Sequence, residues 1–195
     1  MRAGLASLPD REHYAFVDLG CGKGRALMVA SEFPFLRLFG VEIAPQLADV
    51  ARRNAAVIAQ RNPRRTPIEI QLGDATAVRP PAERVVYFMY HPFRRALVRA
   101  LVENIERQLG QGLQHAFFVY YNPVHGDVLD RSPQFSRWQA GTIPYAPEEL
   151  GFGPDLSDTL VIWQTLPARY PAQPHANPAI VANQSRENAG LAGSA

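Results

Sequence analysis

The sequence predicts an α/β fold in which a mostly parallel sheet is covered by helices on both faces. Two observations predict it. From Tyr14 to Tyr121, short apolar runs alternate with amphipathic helical stretches, the pattern of strands joined by crossover helices. The unusual polar residues, in "DLGCGKG", "VEIAP", "GDA", "YHPF" and "YYNP", fall just after the strands, where such sheets bind their ligands.

The elements follow in order. Tyr14 to Leu19 is a buried strand running into a glycine turn. Arg25 to Phe33 reads as a helix stopped by Pro34, and Leu36 to Ile43 as a second buried strand. Pro45 opens a long helix whose stripe is Leu47, Val50, Ala51, Val57 and Ile58. "RNPRRTP" closes it with positive charge, which suits a helix C-terminus. Pro67 to Leu72 alternates like a strand, and Arg84 to Tyr90 fits a central one. A helix from about Phe93 to Leu109 carries Leu97, Val98, Leu101, Val102, Ile105 and Leu109 on one face and ends at Gly110. His115 to Tyr121 is the fifth strand. Phe135 to Ala140 and Thr159 to Thr165 have no long helix between them and suit an antiparallel hairpin at the sheet edge.

The chain has 195 residues, 47% of them hydrophobic and 19% charged, with a net charge of +2. That is a single globular domain with too little charge to argue for nucleic acid or membrane. Cys21 is the single cysteine, which excludes an internal disulfide and a cysteine-built zinc site and suits a reducing, cytoplasmic compartment. No metal site is expected, and no apolar run approaches the roughly 20 residues of a membrane span. From Pro167 to Ala195 the chain is rich in Pro, Ala, Asn and Ser, which reads as a disordered tail after a domain spanning residues 1–166.

The glycine turn selects among cofactors. The dinucleotide fingerprint G-x-G-x-x-G would need a glycine where Arg25 stands; the glycines are Gly20, Gly22 and Gly24, preceded by Asp18. A pyrophosphate wants helix N–H groups and no nearby anion, so Asp18 argues against it. S-adenosylmethionine (SAM) carries an ammonium and a sulfonium, which Asp18 would accommodate, and a carboxylate that could use backbone N–H groups at the turn. Glu42, 18 residues after Gly24, can accept hydrogen bonds from ribose hydroxyls, a device shared with dinucleotide sites. Asp74, in "LGDA", can accept the amino group of adenine.

Together "FVDLGCGKGRAL", "GVEIAPQLADVARRN", "IQLGDA", "YFMYHPF" and "FFVYYNPVH" resemble a class I SAM-dependent methyltransferase, most closely a group of small bacterial methyltransferase-domain proteins. The resemblance covers about Tyr14 to Leu166. It implies a Rossmann-like three-layer α/β/α sandwich with a seven-stranded sheet and an antiparallel last strand. It implies SAM contacts at Asp18, Gly20, Gly22 and Gly24, with Cys21 between them as a small turn residue, at Glu42 and Ile43, and at Asp74 and Ala75. Tyr90 falls beside the expected methyl donor.

"YHPF", Tyr90 to Phe93, partly matches the [D/N/S]-P-P-[Y/F/W] motif of amino-methylating enzymes, with His91 in place of the polar acceptor and one proline missing. Tyr90, His91 and Phe93 are therefore the candidate catalytic residues, His91 as an acceptor or base near neutral pH. The match leans toward an amine or a protein side chain as methyl acceptor, with small molecules and RNA also open and DNA and membranes not expected. Asn122 and His125 form a second candidate wall, although Asn-Pro is also an ordinary turn. Only 13 residues precede Tyr14, where the family usually has a longer lead-in, so the sequence reads as a shortened member. That keeps open a SAM-binding scaffold without turnover and, less favoured, a dinucleotide-dependent enzyme.

Overall fold

A computed structural model describes residues 1–79, 81–90, 93–144 and 157–173. The strands are β1 (Ala15–Leu19), β2 (Arg37–Glu42), β3 (Ile68–Leu72), β4 (Arg84–Tyr90), β5 (His115–Tyr121), β6 (Phe135–Pro144) and β7 (Ser157–Thr165). They form one seven-stranded sheet in the order β3-β2-β1-β4-β5-β7-β6. β7 alone runs antiparallel, to both β5 and β6, so the expected edge hairpin forms with β7 inserted beside β5. The helices are α1 (Arg2–Ser7), α2 (Arg25–Ala30), α3 (Pro45–Arg61), α4 (Arg95–Leu109) and the single turn α5 (Asp127–Asp130).

Strand alternation feeds two cores, one on each face of the sheet. In β4, Val85, Tyr87 and Met89 enter the core under α4 and α5. Val86 and Phe88 enter the core shared with α1, α2 and α3. β5 is buried at every residue, which explains its unbroken apolar run. The three layers are those the sequence predicts. Among the described residues no helix is long and apolar enough to cross a membrane.

Three differences from the sequence-based expectations have local causes. First, α2 stops at Ala30, where Ser31 turns its hydroxyl back onto the Met28 carbonyl at 2.6 Å. Phe33 and Phe35 then serve packing, their rings 6.5 Å apart. Second, the N-terminal residues form α1, a helix too short to show periodicity. Leu5 and Leu8 bury it, and Nη1 of Arg11 donates to the carbonyls of Leu5, Ala6 and Leu8, supplying partners that a helix end otherwise lacks. Third, the segment after Pro167 does not begin as a free tail. Gln164 holds Tyr170 through both backbone groups, at 2.7 and 3.1 Å, and the Tyr170 ring stacks on Phe117. Its hydroxyl donates to Asp10 at 2.8 Å. Composition cannot reveal that docking, because it depends on partners distant in sequence. Residues 174–195 of the expected tail lie outside the described residues.

Gly40, in the middle of β2, lets α2 and the glycine turn close on the sheet. A Cβ there would meet Leu27 Cδ1 at 2.5 Å and Cys21 Sγ at 2.9 Å. Overpacking of this kind costs about 1–3 kcal/mol. Gly40→Ala should therefore lower the melting temperature by roughly 3–10 °C. Gly141→Ala, where a Cβ meets nothing within 4 Å, is the matched control and should leave it almost unchanged.

Candidate functional site

The strand order reverses direction between β1 and β4, and ligands of such sheets sit at that switch point beyond the strand ends. The turn after β1 lies there. Gly20, Gly22 and Gly24 have φ of 73°, 54° and 78°, the left-handed region that glycine enters without strain. Those angles aim the turn's amides at the protein itself. Gly20 and Cys21 donate to the Val41 carbonyl at 3.0 and 2.9 Å, and Gly24 donates to the Cys21 carbonyl at 2.8 Å. Gly22 donates to Oε2 of Glu42 at 2.8 Å, while Oε1 of Glu42 accepts from the Ala44 amide at 2.9 Å.

This arrangement has a chemical consequence. A phosphate cradle needs amides directed at the ligand. Here the amides of Gly20, Cys21, Gly22 and Gly24 are already bonded within the protein, so they do not offer the N–H groups expected for the carboxylate of SAM either. The turn presents carboxylates instead. Asp18 is 4% exposed and Glu42 6% exposed. No hydrogen bond reaches the Asp18 carboxyl among the described residues. Burial, with the Glu42 carboxylate adding to it, pushes the Asp18 pKa up to about 7. The pair favours a ligand that brings positive charge.

The neighbouring strand ends complete the edge. Ile43 follows β2 with 72% of its surface exposed, and Leu72 ends β3 at 46%. Asp74 is exposed and caps a short 3₁₀ turn, its Oδ1 accepting from the amide and the hydroxyl of Thr76, both at 2.8 Å. Ala75 beside it is buried. Cys21 is buried, and burial, Asp18 and Glu42 push its thiol up to about 12.

Tyr90 ends β4 half exposed, its ring stacked on Tyr121 with centroids 6.0 Å apart. Its hydroxyl donates to Oδ1 of Asp158 at 3.0 Å. Asn122 donates to the same oxygen at 2.8 Å and accepts from the Thr159 amide at 3.0 Å. Asn122 also has φ of 48°, so the reading of "YNP" as a turn describes its backbone while its side chain ties β5 to β7. The backbone of His125 bonds the Tyr120 hydroxyl. Phe93 is partly buried against the core under α4, on the opposite face from the Tyr90–Tyr121 stack. His91 lies outside the described residues. Asp18, Glu42, Asp74 and Tyr90 thus line successive strand ends, whereas Phe93 packs into the core on the other side. Sequence reasoning missed Asp158, which arrives from β7; only its place at the start of an edge strand could have flagged it.

No family model and no curated protein sequence matches the chain. Solved structures do match it in three dimensions. Magnesium protoporphyrin IX methyltransferase from Synechocystis PCC 6803, crystallised with bound SAM, matches with a TM-score of 0.58 and 12% identity, over 84% of this chain and 75% of that one. The fold is that of the class I SAM-dependent methyltransferases. An rRNA methylase from Streptococcus thermophilus matches with a TM-score of 0.53 and 13% identity, over 85% of this chain and 93% of that one. A Streptococcus pneumoniae protein regarded as a tRNA (m1A22) methyltransferase matches with a TM-score of 0.59 and 10% identity, over 97% and 78%. On this methyltransferase fold, the edge carrying Asp18, Glu42 and Asp74 is the C-terminal edge of the parallel strands.

The raised Asp18 pKa makes stability depend on pH with a definite sign. In the folded protein Asp18 keeps its proton up to about 7, whereas its ordinary value is 3.8. Between those values the folded state binds more protons, so its Asp18-dependent stability is present at low pH and is lost as pH rises toward 7. Asp18→Asn should match the wild type near pH 4 and melt roughly 5 °C or more above it at pH 8. Equal melting curves at both pH values would refute the assignment.

Proposed function

We propose that the protein is a SAM-dependent methyltransferase. The observation that carries this reading is the buried Asp18–Glu42 pair beneath a glycine turn whose own amides are taken up within the protein. Such a turn suits a cationic nucleoside ligand and disfavours a pyrophosphate. In this reading Asp18 meets the positive end of SAM. Glu42 holds the ribose hydroxyls while keeping its bonds to Gly22 and Ala44. Asp74 accepts the adenine amino group, and Ile43 and Ala75 offer apolar surface beside it. Gly20, Cys21, Gly22 and Gly24 keep the backbone close to the ligand, and Tyr90 borders the methyl group.

SAM supplies an electrophilic methyl on a positively charged sulfur. The protein's part is to align an acceptor lone pair with that carbon and to exclude water. The structural neighbours named above act on a porphyrin or on RNA by their names. For this chain the partial "YHPF" motif favours an amine or a protein side chain.

Two outcomes test the reading. SAM and its demethylated product should raise the melting temperature, while NAD should not. Because Asp18 titrates near 7 in the free protein and a cation favours its ionised form, SAM affinity should weaken below that pH, by up to about tenfold per unit. Asp18→Asn should bind SAM at least about tenfold more weakly and flatten that profile. A calorimetric titration across pH 5–8 reads both effects. A well-folded wild-type sample that ignores millimolar SAM would refute the proposal.

A further inference from the structure

We propose that the outer face of α2 and α3 is a docking surface for the phosphate backbone of a single-stranded nucleic acid. The proposal names a partner surface rather than the methyl acceptor, and it does not depend on the methyl-transfer reading.

The net charge of +2 hides an uneven distribution, because folding sorts the charges between the two faces of the sheet. Residues 20–36 and 43–67 hold the glycine turn, α2, α3 and the turn that closes α3; they contain seven Lys and Arg residues and two acids. Across the sheet, residues 93–112 and 122–134 hold α4 and α5 and contain five arginines and four acids. Both acids of the basic face are already taken. Glu32 accepts two bonds from Arg2 of α1, at 2.6 and 2.8 Å, and Asp49 accepts from Arg52 at 2.8 Å. Lys23, Arg25, Arg53, Arg61, Arg64 and Arg65 are left over. Among the described residues none of these six forms an ion pair. All but the half-buried Arg65 are exposed.

Packing sets most of them in one row. Near the start of α2, Asn54 of α3 donates to the Lys23 carbonyl at 2.9 Å, and a Cβ on Gly24 would meet Ala51 Cβ at 3.4 Å. At the other end, Arg65 reaches Oγ of Ser31, the residue that follows α2, at 3.4 Å. The two helices therefore lie side by side and run the same way. Arg61 stands between these points, two turns beyond Asn54 on the same side of α3. The row starts with Lys23 and Arg25 at the glycine turn and ends at Arg64 and Arg65.

The residue types select the ligand. Five of the six cations are arginines, whose planar fork matches a phosphate. A protein interface or a membrane-bound face would centre on apolar anchors. Among the described residues, Val57 is the one large apolar side chain that α2 and α3 expose. Charge without apolar surface is the footprint of a polyanion. One row of cations suits one strand. α2 is roughly 10 Å long, and a strand carries a charge about every 3.4 Å of its axis, so the row spans about three phosphates.

The test is fluorescence anisotropy on the full chain without SAM. The probes are a labelled single-stranded RNA of about 12 nucleotides and a DNA of the same sequence. At least one should bind, with log affinity falling against log salt at a slope of about −2. Tighter binding of one probe names the source of the backbone, and equal binding assigns recognition to phosphate alone; each supports the proposal. Arg61→Gln combined with Arg64→Gln should weaken binding at least about tenfold at low salt and bring the slope to about −1. The melting temperature should stay unchanged, because both side chains are exposed. Arg99→Gln combined with Arg107→Gln removes the same charge from α4 and should leave affinity within about twofold. No binding of either probe, binding that ignores salt, equal weakening by the two double variants, or equally tight binding of polyglutamate would each overturn the proposal. SAM binding is titrated separately, so none of these results would strike the cofactor reading.

Discussion

The bond from the Gly22 amide to Glu42 is the constraint on which the site depends. It draws the turn after β1 onto the end of β2, with Gly20 and Cys21 anchored to Val41 beside it. This closure requires left-handed backbone at the glycines and an absent side chain at Gly40. It also forces a carboxylate into a nearly buried position next to Asp18. Burial raises the Asp18 pKa, and the Glu42 carboxylate beside it adds to the rise. The interaction that shapes the turn thus also sets the charge the site prefers.

The rest of the sheet extends that logic along its edge. Parallel strands deliver Asp18, Glu42, Asp74 and Tyr90 to the same side because each connection, through α2, through α3 or through the short 3₁₀ turn at Ala75–Ala77, returns the chain in the same direction. The antiparallel β7 breaks this rule, and so contributes Asp158 from its beginning instead of its end. The segments before β1 and after β7 act on both ends of the sheet. α1 backs the Tyr121–Tyr90 stack, while Tyr170 joins Asp10 and Gln164 near the start of β1.

Much of this architecture is legible in the amino-acid sequence. Each strand of the parallel part, the glycines and the strand-end acids follow from apolar runs and turn chemistry. The features that are not legible escape for different reasons. α1 is hidden because six residues give no readable period. The docking of Tyr170 is hidden because its surroundings have the composition of a linker, while the Gln164 amide gives its backbone partners. Phe93 reads as a site residue because it stands at the aromatic position of the partial "YHPF" motif, but it packs against the other core.

The sequence by itself determined the alternation of strands and helices, the special backbone of the turn, and which acids stand at the ends of β1, β2 and β3. These are local properties, set by side-chain periodicity and by what glycine and proline permit. Only the tertiary structure decided that the turn's amides are satisfied by Val41 and Glu42, that Asp18 is buried beside a second carboxylate, and that Asp158 joins Tyr90 across 68 residues of chain. Those are properties of burial and of pairing between distant segments. They arise when the sheet closes, and no single stretch of sequence contains them.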